Sequence, residues 1–416
     1  MKKQLLKKNN LKKILKICEV CDYRYQFTFL NLGQQPLCDD LIKIGSKISN
    51  KKYRIKLIFC PKCYTVHHFY KVEIQKLFPK NYHYRSRFTQ DVILGMKDLF
   101  FKSLPYLNST KKILDIGCND GSLLDFYKKK NFITIGVEPT NAAKEAKLKK
   151  HNIYNHYFNK KIALKVKRDY GDISLITFTN VFAHINDLNS LIDNLKILFT
   201  YNTTLIIENH YLGSVINNVQ FDTFYHEHPR TYSLTSFKYI AEKLGAHIFK
   251  VEFTKRYFGN IRVYISKNQK PLRKLNYIIS KKNEKYFLSK LIKFESALNR
   301  WKIFKIKELK HLKNKYGVLY AKAFPGRASV IINFLGLNLK FISAAFEKPN
   351  SKKIGFYIPG TKIPILSDNK ISNLKDKSVF INLAWHITKE IKNYMKNYNK
   401  NFKIFDILKK NEIIKY

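Results

Sequence analysis

Ile113-Leu114-Asp115-Ile116-Gly117-Cys118-Asn119-Asp120-Gly121-Ser122-Leu123-Leu124 is the stretch on which the fold turns. Ile113, Leu114 and Ile116 read as a buried strand, Gly117 to Gly121 as a loop, and Ser122 onward as a helix start. Gly117 and Gly121 carry no Cβ, so the backbone can pass close to a ligand. A strand that feeds a helix through such a loop is the usual nucleotide-cofactor site of an open α/β sheet. The spacing is not GxGxxG, which argues against a dinucleotide.

Working outward, the neighbouring segments alternate between the two periodicities. FTQDVILGMKDLFFKSL and LLDFYKKK read as helices, and FITIGVEPT as a second strand ending at Glu138, 23 residues beyond Asp115. An acid at that point can accept both hydroxyls of a bound ribose. AAKEAKLKKH is helical, DISLITFTNVFAHI is a strand leading to Asn180 and His184, and TTLIIENHYL is a strand ending at Glu208. The alternation predicts a doubly wound, mainly parallel sheet. Asp115, Glu138, Asn180, His184 and Glu208 then converge on the carboxyl edge of the strands, where ligands bind. The order acidic-x-Gly-x-Asn-Asp-Gly resembles the first motif of the class I S-adenosylmethionine (SAM) methyltransferases.

The chain of 416 residues has room for two or three domains. Its 78 basic and 30 acidic residues give a net charge of +48, spread from Lys2 to Lys415 rather than gathered in one arm. An electrostatic footprint for nucleic acid would cluster. The spread charge is instead read as compositional, alongside many Asn, Ile and Tyr, and a general attraction for phosphorylated substrates still follows from it. There is no apolar run of about 20 residues, so no membrane span is expected. The basic start, MKKQLLKKNNLKKILKIC, is too broken by Lys for a signal-peptide core, and the cytoplasm is the default location.

Cys18-x-x-Cys21 and Cys60-x-x-Cys63 are two short-spaced thiolate pairs, separated by 38 residues. Four thiolates complete a tetrahedral zinc site with no open position, which predicts a structural metal. The segment between them holds the strand-like pieces TFLNLGQQPL and YRIKLIFC. Cys38 and Cys118 are left over as core or loop cysteines, and His67 and His68 are not needed as ligands. Asn81 to Ser86, with Tyr82 and Tyr84 alternating, reads as the joint to the next domain.

Phe221-Asp222-Thr223-Phe224-Tyr225-His226-Glu227-His228 places two histidines around a glutamate. It is not HExxH, so a zincin helix is excluded. A histidine near its ordinary pKa is the natural general base at neutral pH. Further on, Asn283 to Tyr316 is a Lys-rich helical connector. GVLYAKAFPGRASVIINFLG, LKFISAAFE and KSVFINLAW then predict a second, smaller α/β domain, with HITKEIKNYM as its last helix. Arg327 in its Gly loop can meet a phosphate at a helix N-terminus.

Taken together, these motifs resemble the SAM-dependent sugar C-methyltransferases, which methylate a ring carbon of a nucleotide-linked keto-deoxysugar. The resemblance runs through nearly the whole chain: the two CxxC pairs with Leu32-Gly33-Gln34-Gln35-Pro36-Leu37 between them, Tyr82-His83-Tyr84-Arg85-Ser86, the Asp115 to Gly121 loop, and Gly136-Val137-Glu138-Pro139. It continues through Asn180-Val181-Phe182-Ala183-His184, the Phe221 to His228 run, Ile358 to Ile365, and Leu383-Ala384-Trp385. It implies a Rossmann-like SAM domain flanked by a zinc module and a second α/β domain, divided at 1–85, 86–282 and 283–416. It implies that Asp115, Gly117, Cys118, Asn119, Gly121, Glu138, Pro139 and Asn180 hold SAM. His228 would be the base supported by Glu227, with His184, Tyr225 and one of Tyr82 or Tyr84 stabilising the enolate or holding the sugar. Asn260, Arg262, Arg327 and Glu347 would lie on the substrate side. No specific nucleic acid or membrane is expected as a partner, and the oligomeric state stays open, a monomer being one option. Where the family carries His-Gly-Gly-Ser-Leu-Arg this chain has Tyr257-Phe258-Gly259-Asn260-Ile261-Arg262, and His386 stands where Asn is usual. Two alternatives stay open: a zinc-module methyltransferase acting on RNA, which the charge favours, and a non-catalytic member of the fold, which only Phe258 and His386 support.

Overall fold

The computed structural model describes residues 13–80, 82–409 and 412–413; the basic start up to residue 12 and Asn81 of the joint lie outside them. The chain forms two compact units, each drawing on separate stretches. The first takes residues 58–217 and 227–289 together with the N-terminal part up to Thr28. The second takes Phe29–Leu57, Asn218–His226 and Lys290–Tyr416.

The N-terminal strands are β1 (Lys13–Leu15), β2 (Tyr25–Pro36), β3 (Ile42–Lys43), β4 (Lys52–Phe59) and β5 (Val66–His68). β2 and β4 run from one unit into the other. The main sheet of the first unit contains β6 (Lys112–Ile116), β7 (Ile133–Val137), β8 (Asn152–Tyr154), β9 (Leu175–Thr179) and β10 (Thr204–His210). After β11 (Arg230–Thr231), which pairs with β5, β12 (His247–Thr254) and β13 (Asn260–Ser266) complete it. The order is β12-β13-β10-β9-β6-β7-β8. β8, β7, β6, β9 and β10 are parallel; β13 and β12 are antiparallel. The chain leaves β6 in one direction through β7 and returns on the other side through β9. The switch point therefore lies between β6 and β9, the place where open α/β sheets bind ligands.

Parallel strands covered on both faces read as continuous apolar runs, and Ile113, Leu114 and Ile116 of β6 are buried accordingly. The helix Gln90–Ser103 buries Val92, Met96, Leu99 and Phe100 against Ile113, Leu123, Leu124 and Tyr127. Burial of each such side chain stabilises by about 1.5–3 kcal/mol.

The second unit holds a parallel sheet ordered β17-β15-β14-β18-β19. Its strands are β14 (Leu319–Lys322), β15 (Ile342–Glu347), β16 (Phe356–Tyr357), β17 (Ile365–Ser367), β18 (Val379–Asn382) and β19 (Lys403–Asp406), with β16 pairing β3 instead. Most of the helix Phe287–Tyr316 belongs here, and its Trp301 is fully buried with Nε1 donating to Glu412. A buried Lys322–Asp368 ion pair (2.6 Å) ties β14 to the segment after β17.

Candidate active site

The glycine loop leaves β6 with Gly117 at φ 76° and enters the helix Ser122–Lys128 through Gly121 at φ 78°. A Cβ on Gly117 would stand 2.5 Å from a Val181 methyl, so both the backbone angle and the space demand glycine. Asn119, also left-handed at φ 51°, donates its N–H to Glu138 Oε2 at 3.0 Å. The other Glu138 oxygen accepts from Thr140 N and Oγ1 (2.9 and 2.6 Å). Glu138 is thus held rigid at the end of β7, with lone pairs left over for a ligand, and half-buried Pro139 follows it. Asp120 is fully buried: its Oδ1 accepts from Ser122 N and Oγ, and its Oδ2 from Arg87 N at 3.2 Å. Cys118 is buried in the core, its Sγ over Gly136, and burial pushes its thiol well above the ordinary range.

Asp115 is buried and accepts one hydrogen bond, from Thr177 Oγ1 at 2.7 Å. Burial pushes its carboxyl up to about 7, opposed by Thr177 and reinforced by the Glu138 charge. Two carboxyls beside a glycine cradle, with the Thr179 hydroxyl buried and unbonded at the neighbouring strand end, fit a ligand with ribose hydroxyls and positive charge, as SAM has.

The joint after the zinc module is clamped onto this cradle by Arg85, which sequence reading passed over. Its buried guanidinium donates to the Tyr82 and Tyr84 carbonyls (both 2.8 Å), Asn141 Oδ1 (2.7 Å) and Glu145 (2.7 Å). Asn119 Oδ1 in turn accepts from Ser86 N. Tyr82 is thereby aimed with its hydroxyl 3.4 Å from Glu227 Oε2, whereas the Tyr84 side chain is 41% exposed.

At the ends of β9 and β10 three imidazoles come together. The His228 ring lies 4.9 Å from that of His184 and 5.3 Å from that of His210. His210 was not singled out from the sequence; the only sign was its place at a strand's carboxyl end. His184 Nδ1 lies 2.8 Å from the Glu227 carbonyl oxygen, which can only accept, so Nδ1 carries the proton. Burial lowers the His184 pKa to about 4 against the pull of the Glu227 and Asn180 carbonyls, so the ring is neutral at pH 7 and its Nε2 is an acceptor. The Phe78 ring meets that of His184 edge to face, with centroids 5.1 Å apart.

Asn180 Oδ1 accepts from Asn260 Nδ2 (2.9 Å), which links the end of β9 to β13. Beside them Glu208, fully buried, accepts from Arg256 and Arg262 (2.8 Å each) and from Asn260 (3.2 Å). Arg262 also reaches Asp98 and Glu252. Arg262 and Asn260 therefore sit in a buried ion-pair network at the strand ends.

In the second unit Asp222 accepts from Trp385 Nε1 (3.2 Å) and pairs with Arg327 (3.3 Å), whose guanidinium lies over the Trp385 ring. His386 Nδ1 and Arg327 Nη2 are buried without a hydrogen-bond partner, and burial together with the Arg327 charge lowers the His386 pKa to about 3. Glu347 accepts from Phe324 N at the start of the Gly loop. Tyr225 is half-buried, and His226 Nε2 lies 3.1 Å from the Tyr53 carbonyl.

Cys18, Cys21, Cys60 and Cys63 place their four sulfurs within 4.8 Å of one another, all buried. The closest pairs are 3.5 and 3.6 Å apart. A zinc–thiolate tetrahedron has edges of about 3.8 Å, so the donor set fits zinc. His67 Nε2, 3.3 Å from Cys18, and Thr65 Oγ1, 3.0 Å from Cys63, are placed to donate to the thiolates.

Three family models match in chain order: a zinc binding domain over residues 18–78, a methyltransferase domain over 83–251, and a C-methyltransferase C-terminal domain over 257–405. The C-methyltransferase NovU of Streptomyces niveus is 23% identical over 251 residues, 59% of this chain and 60% of that protein. The match thus spans less than two thirds of the relative's length. Among solved structures, a SAM-dependent methyltransferase from Archaeoglobus fulgidus aligns at 17% identity over 42% of this chain and 93% of that one, with a TM-score of 0.34. Magnesium protoporphyrin IX methyltransferase from Synechocystis, with bound SAH, aligns at 12% over 42% and 82%, with a TM-score of 0.33. Likeness at that level adds no argument. In chain order, then, the protein is similar to a zinc binding domain, where the four-thiolate site lies, to a methyltransferase domain, where the cradle at the ends of β6 and β7 lies, and to the C-terminal domain of C-methyltransferases.

Proposed function

We propose that this chain transfers the SAM methyl group to a ring carbon next to the ketone of a nucleotide-linked keto-deoxysugar. One observation carries the reading: His228, flanked by two imidazoles and adjacent to a carboxylate that Tyr82 approaches, stands at the strand ends beside the glycine cradle. Bound SAM supplies an electrophilic methyl on a positive sulfur. The chain's task is to remove the proton from the acceptor carbon and to hold the enolate. An imidazole nitrogen of His228 takes that proton, and Glu227 supports the imidazolium that results. Neutral His184, with Nε2 as acceptor, holds a sugar hydroxyl rather than the enolate oxygen. Tyr82 is the donor for the developing negative charge. Asp115, Gly117, Asn119, Gly121, Glu138, Pro139 and Asn180 hold SAM, with Cys118 packed beneath the loop.

Asn260 and Arg262 shape the strand-end wall of the first unit. The domain plan 1–85, 86–282 and 283–416 goes with this reading. So do a place in deoxysugar or polysaccharide biosynthesis, a cytoplasmic location and the absence of a specific nucleic-acid site. Incubation with methyl-labelled SAM and a panel of nucleotide-linked keto-sugars tests the proposal. A carbon-bound methyl on one of them is expected. Label on a nucleic acid, or on oxygen, would overturn it.

A further inference from the structure

We propose that Arg230 is a positioning residue that fixes the spacing of His184 and His228 and ties both to the zinc knuckle. The inference rests on the roles given to those histidines above. Arg230 follows His228 by two residues, and its side chain is fully buried. Its guanidinium donates to the carbonyls of Ile185 and Asn186, the two residues directly after His184. It also pairs with Glu19, which lies between Cys18 and Cys21, and donates from Nε to Tyr232 Oη at 2.9 Å. One side chain thus grips the histidine-bearing turn, while its own backbone carries the other histidine.

The backbone is held on the same side. Pro229 confines His228 to extended conformations. The Pro229 carbonyl accepts from His68 N at 2.9 Å, and β11 pairs with β5, the strand that leaves the second CxxC. Ser233 and Ser236, which cap the helix Leu234–Lys243, both donate to the Cys63 carbonyl (2.9 and 3.1 Å). Lys71 bridges Glu19 and the Asn186 carbonyl as a second, more exposed strut. A knuckle ordered by metal therefore sets where Glu19 stands. Glu19 sets Arg230, and Arg230 sets the turn that keeps the His184 Nδ1–H on the Glu227 carbonyl.

The test reads the His184 tautomer by ¹⁵N NMR of full-length, zinc-loaded, SAM-bound protein, with zinc content measured in parallel. The wild type is expected to show a single Nδ1–H tautomer. Arg230→Lys and Arg230→Met are expected to show a mixture while keeping one zinc per chain. In Arg230→Lys, kcat on the accepted sugar falls at least about tenfold and KM for SAM stays within about twofold. Chelation of zinc from the wild type gives the same tautomer mixture. A pure Nδ1–H tautomer in the zinc-loaded Lys variant overturns the proposal, and that readout decides even if the Met variant fails to fold. The readout needs no turnover, so it is separate from the His228 assignment, which falls instead if His228→Ala remains active.

Discussion

Asp115 is the residue whose chemistry is most exposed to test. Its carboxyl, pushed up to about 7 by burial, holds a proton in the folded protein that it would not hold in the unfolded chain above pH 4. A folded-state pKa raised in an acid means that its contribution to stability falls as pH rises from about 4 to about 7. Asp115→Asn, which can still accept from Thr177, is therefore expected to stabilise the ligand-free protein at pH 8 by about 1–3 kcal/mol in urea denaturation. The same variant should bind SAM more weakly, because a cationic ligand favours the carboxylate. SAM affinity in the wild type should rise with pH up to about 7 and then level off; a flat profile would remove the role. A second residue-scale contrast separates the two joint tyrosines. Tyr82→Phe should lower kcat about tenfold, because its hydroxyl reaches Glu227, and Tyr84→Phe, whose residue is 41% exposed, should leave it within about twofold.

At the scale of elements, the end of β10 is the costly piece. Glu208 is the buried carboxylate shared by Arg256 and Arg262, so Glu208→Gln leaves two guanidinium groups short of charge. A loss of about 3–5 kcal/mol in urea is expected; a loss under about 1 kcal/mol would show that Asp98 and Glu252 suffice. How much of this was legible follows from range. β6, the turn into the helix Ser122–Lys128 and the place of Glu138 just after β7 depend on local order, and spacing marks them in the sequence. The antiparallel β12 and β13 are not so marked, because half-buried residues along β12 leave no clean alternation. The Arg85 clamp and the Arg230 tie were invisible for another reason. Arg230 reaches Glu19 across 211 positions, and no periodicity or motif encodes such a pairing.

For the molecule as a whole, the metal is a folding element. The sulfur tetrahedron, the paired β5 and β11, and the caps on Cys63 make the first unit's N-terminal part depend on zinc. Structural zinc binding contributes on the order of 10 kcal/mol to small modules. Chelation should lower the melting temperature and expose the Cys18 and Cys60 pairs to thiol reagents. An unchanged melting temperature without metal would contradict the assignment. The four cysteines were legible because their spacing alone carries the geometry. The sharing of the Phe221 to His228 run between two compact units was not, since nothing in a linear motif marks where a unit begins.

In the proposed reaction, His228 removes a proton from the acceptor carbon. The most direct test is exchange of that proton with D₂O in the accepted nucleotide-linked keto-sugar, without SAM, in wild type and His228→Ala. Exchange by the wild type is expected, with a loss of about 10²-fold or more in the variant and SAM binding unchanged. Exchange at the wild-type rate in His228→Ala would contradict that role.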